Sequence, residues 1–351
     1  MPSRGLVCIC AAALAVAVAC FYAIDKRIQY IAPQTRAGSP VFPELAGAVS
    51  EVTHIEITRN GRHFVLQRQG GHWQNMALAG YPAISAHVDS LITSLAGLTY
   101  ISAKTTRPSL YARLQVEDPV LGAASTRCVL KTADGVELAS LIAGRVSDNR
   151  IAPGRQGVYI RLPDDERSWL AEGVLDIARD AVQWSAREVV NIDAGLITAL
   201  RVQQSDGHRI ALEKSGTRMT LSNLPADSVV RNQYQIDYMS GLLESVTFTD
   251  VRPAAIDRPV KTSAYRAEVI TDTGLMLEIQ VDEVADDGSA WVRFMARAAL
   301  ESISDDSQQQ IDRLNSALKG WSVRLPRKFA DRLAIRLDDI IELKTNERLT
   351  Q

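Results

Sequence analysis

Histidine is the residue type in this chain that is best suited to bind a metal ion or to act as a general acid or base. The chain has five histidines, and His54 and His63 lie on the two strands of a predicted hairpin. Imidazoles facing each other there would form a weak surface metal site. No histidine spacing matches a zinc motif, however. We therefore interpret the histidines as hydrogen-bonded or solvent-exposed and predict no metal ligand.

The acidic segment Asp282–Gly288 resembles a calcium-binding loop at first sight. An EF-hand loop needs glycine at its sixth position and a bidentate glutamate at its twelfth. Here Gly288 comes one position late, and Arg293 stands where the glutamate is required. The spacing excludes an EF-hand and indicates a solvated hairpin tip. Asp164–Glu166 is interpreted as a turn and Asp338–Asp339 as part of a helix face.

Sequence motifs for catalysis are absent. The chain contains no phosphate-binding glycine loop, no nucleophile elbow and no metalloprotease motif. No two carboxylates are marked as a general acid and base, although folding could bring a pair together. The sequence therefore predicts no catalytic residue and no cofactor.

Two groups of basic residues are candidates for contact with a partner or with lipid headgroups. One surrounds the loop Ser147–Gly157 and consists of Arg145, Arg150 and Arg155. The other is C-terminal and comprises Lys319, Arg324, Arg327, Lys328, Arg332 and Arg336. A solvated basic face is the alternative for both groups. The loop is the better candidate because predicted strands hold it at both ends, and its guanidinium groups would bind carboxylate or phosphate.

Length and composition set the broad class. The chain has 351 residues, of which 46% are hydrophobic, enough for about two globular domains. Lys and Arg total 39 against 41 Asp and Glu, a net charge of −2. This balance gives no basic field for nucleic acid, so we expect no nucleic-acid partner.

The N-terminus predicts the compartment. Leu6–Ile24 is an uncharged apolar run, at 1.5 Å per residue about 28 Å long and close to the thickness of a bilayer core. We favour an uncleaved signal anchor over residues 1–27. Cleavage after Ala17–Ala19 and lipidation of Cys20 remain alternatives, and all three export the rest of the chain. Cys128, the one cysteine beyond this run, is predicted to be a buried hydrophobe.

An internal repeat predicts the architecture. After a linker over residues 28–46, a hairpin around Asn60-Gly61 is matched by a second around Asp206-Gly207. In each copy a helix with one apolar stripe follows, then a second hairpin and a last strand. The helical stripes are Val88, Leu91, Leu95 and Leu98 in one copy, and Ile236, Met239, Leu243 and Val246 in the other.

The predicted fold class is α+β, with two tandem β-β-α-β-β-β repeats, antiparallel sheets and one N-terminal transmembrane helix. The repeats are assigned to residues 47–190 and 191–351. The second ends in helical stripes with Ile311, Leu314 and Leu318, and with Phe329, Leu333, Leu337 and Ile340.

Several of these segments resemble the domain of unknown function 4340 family. They are Gly71–Gln74, the helix with Leu91 and Leu95, Val158–Leu162, Leu314–Pro326 and Asp338–Ile341. The resemblance implies a bacterial protein with one N-terminal membrane segment, often found beside transporters of the gliding-motility ABC type. It supplies no catalytic residues, because none are established for the family.

The sequence thus leads to a membrane-anchored, non-enzymatic envelope protein that binds or scaffolds partners. We expect it in the bacterial inner membrane as a single-pass protein with its bulk in the periplasm. ABC transporter subunits are the partners that the resemblance suggests. An envelope hydrolase, and a ligand- or glycan-binding module using a cleft between the repeats, are the alternatives.

Overall fold

The computed structural model describes residues 36–148, 155–254, 263–300 and 303–344. It is an α+β protein of antiparallel sheets with a few helices, as the sequence predicts. The chain forms two compact units, one made of the described residues up to Ala77 with Pro82–Trp184, the other of Leu78–Tyr81 with those from Ser185 onward. The predicted anchor lies outside the described residues, and within them no helix is long and apolar enough to cross a membrane.

Unit 1 is built on one antiparallel sheet. Its strands follow the order β3-β2-β1-β6-β7-β8-β9-β5. Asn60 and Gly61 have φ angles of 49° and 70°, as a tight two-residue hairpin turn requires, so the predicted first hairpin is confirmed. The strands up to β9 are β1 (His54–Arg59), β2 (Arg62–Gln69), β3 (His72–Asn75), β4 (Tyr81–Pro82), β5 (Thr99–Ala103), β6 (Thr126–Lys131), β7 (Glu137–Val146), β8 (Gly157–Arg161) and β9 (Ser168–Glu172).

One helix covers the core face of this sheet. The helices of unit 1 are α1 (Leu45–Ala48), α2 (Ser85–Ala96) and α3 (Tyr111–Leu114). In α2, Val88, Leu91 and Leu95 are buried against the sheet because they share one helix face. Leu98 is buried as well, but it lies beyond the helix end. Leu45 also belongs to this core, so the described end of the predicted linker is part of the folded unit.

A segment that sequence analysis left unassigned packs on the second face of the sheet. We call residues 104–125, which join β5 to β6, the crossover segment. Val116 of this segment is fully buried, and it lies at Gly144 on β7. Val129 and Ile142 point to this second face by strand alternation, and they are buried too. Both faces of β6 and β7 are therefore covered.

Unit 2 is built on a second antiparallel sheet, in the order β13-β12-β11-β17-β18-β19-β20-β16. Two small sheets pair β10 with β15 and β14 with β21. The strands are β10 (Glu188–Val190), β11 (Ile197–Gln204), β12 (Arg209–Ser215), β13 (Arg218–Leu221), β14 (Ser228–Val230), β15 (Val246–Thr247), β16 (Asp250–Pro253), β17 (Tyr265–Thr271), β18 (Leu275–Val284), β19 (Ala290–Ala298), β20 (Trp321–Leu325) and β21 (Ile341–Leu343).

The helices of unit 2 are α4 (Gln233–Ser240), α5 (Asp305–Leu318), α6 (Arg327–Ala334) and α7 (Leu337–Ile340). The sequence predicts that the stripe from Ile236 to Val246 lies on one helix, and this prediction is wrong. Helix α4 ends before Gly241, which has low helix propensity, a short 3₁₀ turn carries Leu243, and Val246 lies on β15.

The last predicted stripe is likewise two helices rather than one. The buried side-chain amide of Gln204 donates hydrogen bonds to the carbonyls of Leu333 (3.1 Å) and Ile335 (2.8 Å). These bonds satisfy carbonyls at the end of α6, so the chain leaves the helix there and begins α7 at Leu337.

Gly144 offers a test of the crossover packing. A Cβ at this position would clash with the carbonyl oxygen of Leu114 and lie 2.7 Å from a methyl group of Val116. We expect Gly144→Ala to lower the free energy of unfolding by about 1–3 kcal/mol, because backbone must move. Urea unfolding of the full chain measures the change. Gly47→Ala, at a helical glycine with no atom within 4 Å of the added Cβ, is the control and should not destabilise. Equal stability of both variants would contradict this packing.

Candidate functional site

A cleft in unit 1 is the best candidate site that the described residues provide. It has a volume of about 460 Å³ and lies between the crossover segment and the turn that joins β8 to β9. We call it the acidic cleft, because five of its nine lining residues are carboxylates. The lining consists of Pro108, Tyr111, Glu117, Asp118, Arg161, Pro163, Asp164, Asp165 and Glu166.

Arg161 forms the inner wall of the acidic cleft. It is the last residue of β8 and points to the crossover face, since Ile160 before it belongs to the core. The residue is only 7% exposed. Its Nε donates to the carbonyl of Val116 at 2.9 Å, and Nη2 donates to Asp118 at 2.5 Å. The guanidinium therefore fixes the crossover segment to the sheet.

Tyr111 closes the cleft beside Arg161. The guanidinium carbon of Arg161 lies 4.9 Å from the centre of the tyrosine ring, a cation–π contact. The Tyr111 hydroxyl donates to the backbone carbonyl of Glu166. Burial raises the pKa of Tyr111, and this outweighs the lowering effect of Arg161. The hydroxyl is therefore a neutral structural donor near pH 7, not a general base.

The carboxylates of the cleft differ in how they are held. Asp165 accepts a hydrogen bond from the backbone N–H of Arg167 at 2.8 Å and lies 4.0 Å from the guanidinium of Arg36. Glu117 accepts from the backbone N–H of Ala124 at 3.0 Å through Oε1. Asp164 and Glu166 are exposed at the rim.

The chemistry of this lining is that of cation binding. It contains no histidine, cysteine, serine, threonine or lysine, so a catalytic arrangement based on one of those residue types is absent from the lining. The carboxylates outnumber the one guanidinium, and a protonated amine or a guanidinium of a ligand would be favoured there. The described residues contain no group of three or more side chains suited to holding a metal ion.

The predicted arginine site is only partly described. Arg145 at the end of β7 bonds to Asp148 at 2.5 Å and to the carbonyl of Arg113 at 3.1 Å. Arg155 forms a two-pronged ion pair with Glu172. Arg150 lies outside the described residues. Any partner carboxylate at Arg155 must therefore compete with Glu172.

His54 and His63 do not face each other across the first hairpin. The strand register places Gln67 opposite His54 and Thr58 opposite His63. Each imidazole has a local hydroxyl partner instead: His54 Nδ1 lies 2.9 Å from Thr53 Oγ1, and His63 Nδ1 lies 3.1 Å from Thr58 Oγ1. The hydrogen-bonded interpretation is confirmed for both.

The acidic segment at 282–288 is also more ordered than a solvated tip. Asp282 lies on β18, not in the turn, and its nearly buried carboxylate receives two hydrogen bonds from Arg293, at 2.8 and 2.7 Å. Asp287 pairs with Arg324 at 2.8 Å. Arg293, which occupies the position of the EF-hand glutamate, thus neutralises the carboxylate that would have begun the calcium loop.

The C-terminal basic cluster is a solvated face in part: Lys319, Arg327, Lys328 and Arg336 are exposed, whereas Arg324 is half-buried and Arg332 is buried. Arg336 pairs with Asp206 at 2.6 Å, and Arg327 pairs with Asp331 at 3.4 Å. Arg332 is buried, donates to the carbonyl of Gly241 and lies over the ring of Tyr238. Arg332 is therefore part of the packed interior of unit 2, whereas Arg327 and Arg336 are paired at its surface. In unit 1, Cys128 is buried as predicted, and burial raises its pKa to about 12.

Sequence reasoning missed most of the acidic cleft. The turn at Asp164–Glu166 was noticed as acidic, but Tyr111, Glu117, Asp118 and Arg161 were not connected with it. An arginine in an otherwise apolar predicted strand, Val158–Leu162, was the available signal, because a charge at a buried strand position requires a partner.

Comparison with known families gives a match to a domain of unknown function. The family model described as a domain of unknown function (DUF4340) matches residues 73–267, which is more than half of the chain. No curated protein matches the sequence.

Removal of the Arg161 guanidinium tests which contact holds the cleft together. We expect Arg161→Met to destabilise the protein by about 1–3 kcal/mol, because the buried carbonyl of Val116 loses its donor. Asp118→Asn should cost less than about 1 kcal/mol, since the Asp118 side chain is 77% exposed. Urea unfolding measures both changes. If Asp118→Asn proved the more damaging variant, the ion pair rather than the buried hydrogen bond would be the main attachment.

Proposed function

The chain belongs to the DUF4340 family, and we propose that this member is a membrane-anchored, non-enzymatic protein of the bacterial envelope that binds or scaffolds partner proteins. In this proposal Leu6–Ile24 is a single signal anchor in the inner membrane, and the two units lie in the periplasm. The uncharged length of that run supports the anchor.

The observation that carries a binding role is the lining of the acidic cleft. A volume of about 460 Å³ is large enough for a side chain or short peptide segment of a partner. Its one buried charge, Arg161, is already bonded to the crossover segment, and its one hydroxyl, on Tyr111, is bonded to a backbone carbonyl. A ligand that enters the cleft would meet mainly carboxylate groups. This supports recognition of a cation rather than covalent chemistry.

We further infer that the two units are copies of one ancestral domain. The order β3-β2-β1-β6-β7-β8 in unit 1 parallels β13-β12-β11-β17-β18-β19 in unit 2. In each unit a helix lies in the chain after the first three strands of this order: α2 lies between β3 and β6, and α4 lies between β13 and β17. Duplication would give two similar frames whose loops carry different charges, as a scaffold for more than one contact needs. The resemblance to proteins found beside ABC transporters makes subunits of an export system the partners we propose.

A single N-terminal anchor predicts that the C-terminus of the chain lies in the periplasm. A reporter that is active only in the periplasm, fused after Gln351, should be active with the full chain. The same fusion on residues 28–351 is the matched control and should be inactive, because it lacks the run Leu6–Ile24. Activity of a cytoplasm-only reporter on the full chain would overturn the proposed location.

The loop Ser147–Gly157 is proposed to contribute a basic contact to a partner. The double variant Arg150→Ala with Arg155→Ala should reduce several-fold the membrane protein that is captured with the tagged full chain from solubilised membranes. Its thermal stability should stay near that of the wild type, since Arg155 is exposed. Arg209→Ala with Arg218→Ala, two exposed arginines of unit 2, is the matched control. Equal capture by both double variants would remove this loop from the interface.

A further inference from the structure

We propose that the acidic cleft and the neighbouring pair Val120 and Leu121 form one docking surface for a basic segment of a partner protein, in which an apolar side chain accompanies lysine or arginine. The proposal rests on the partner-binding function above and names the chemistry of the partner.

The apolar half of this surface is unusually exposed. Leu121 is 83% exposed and Val120 is 64% exposed. Single exposed aliphatic residues are common on protein surfaces, but two large ones side by side present a continuous apolar tip. Covering such a tip removes apolar area from water, which is a principal driving force of association.

Backbone hydrogen bonds hold this tip in one conformation. The N–H of Gly61 donates to the carbonyl of Pro119 at 2.9 Å, and the N–H of Gly122 donates to the side chain of Asn60 at 2.6 Å. Within the loop, the N–H of Ala123 donates to the carbonyl of Val120 at 3.0 Å. A tip that is already ordered loses little conformational entropy when a partner covers it.

The tip and the acidic cleft are continuous along the crossover segment. Asp118 lines the cleft, and Val120 follows two residues later, with its N–H bonded to the carbonyl of Asp118 at 2.8 Å. A partner that covers Leu121 therefore lies next to the carboxylates of the cleft. It gains a favourable contact if it carries a cation there.

The charges favour a basic protein segment over an anionic bilayer. Five carboxylates line the cleft against the buried guanidinium of Arg161 and that of Arg36, which lies 4.0 Å from Asp165, so carboxylates predominate and anionic lipid headgroups would be repelled. Arg59 and Arg62 flank the nearby hairpin turn but belong to the other face of the sheet, as their alternation with buried Ile57 and Phe64 shows. They do not neutralise the cleft.

Peptide binding to the full chain in detergent tests the proposal. The probes are a fluorescent twelve-residue peptide of alternating lysine and leucine and its counterpart with glutamate in place of lysine. We expect the lysine peptide to bind, with an affinity that falls as salt rises, and the glutamate peptide to bind at least ten-fold more weakly. Two variants should each lower the affinity for the lysine peptide at least five-fold: Leu121→Asp, and the double variant Asp164→Asn with Glu166→Gln.

Matched controls lie at the turn between β6 and β7 of the same unit. Val136→Asp and the pair Asp134→Asn with Glu137→Gln alter exposed residues of the same types, and they should leave binding unchanged. Equal effects of site and control variants would overturn the docking surface. So would equal binding of both peptides, or capture of anionic phosphatidylglycerol vesicles that Leu121→Asp abolishes. If the lysine peptide does not bind but the periplasmic reporter is active, the docking surface is wrong and the anchored envelope role is retained. If the peptide binds specifically but the cytoplasm-only reporter is active, the docking surface is retained and the proposed location is wrong.

Discussion

The bond from Arg161 to the carbonyl of Val116 is the interaction on which the packing of the crossover segment and the shape of the acidic cleft depend. It joins a strand of the sheet to a segment about 45 residues earlier in the chain. Because the crossover segment is held there, the second face of β6 and β7 is buried and the acidic cleft acquires its inner wall. A buried guanidinium is costly without partners, so Asp118 and the ring of Tyr111 complete its surroundings.

Strand pairing was accessible from sequence because alternation and turn chemistry are local. The turn at Asn60-Gly61 and the apolar alternation of β1 and β2 define a hairpin without knowledge of the rest of the chain. The crossover segment could not be placed in this way. Val116 fits at its buried position because Gly144, on a later strand, has no side chain there, and a glycine within a strand does not indicate which segment approaches it.

The ends of helices could not be predicted from sequence for a related reason. The stripe from Phe329 to Ile340 has helical spacing throughout, yet the side chain of Gln204 caps the carbonyls of Leu333 and Ile335 and divides the stripe in two. That side chain comes from β11, more than a hundred residues away. Periodicity reports which face of a segment is apolar, whereas the point at which a helix stops depends on which distant groups satisfy its last carbonyls.

Charged residues show the same difference between the local sequence pattern and the folded structure. They also indicate where the candidate site lies. Segments that look uniformly basic or acidic in sequence are paired across the fold, as Arg336 is with Asp206 and Arg293 with Asp282. One sign predominates in the acidic cleft, because two acidic stretches meet there at the guanidinium of Arg161, which is already bonded within the fold, and Arg36 lies 4.0 Å from one of their carboxylates, that of Asp165. A cationic group of another molecule would meet these carboxylates in the cleft, and the exposed side chain of Leu121 gives that molecule an apolar surface to cover.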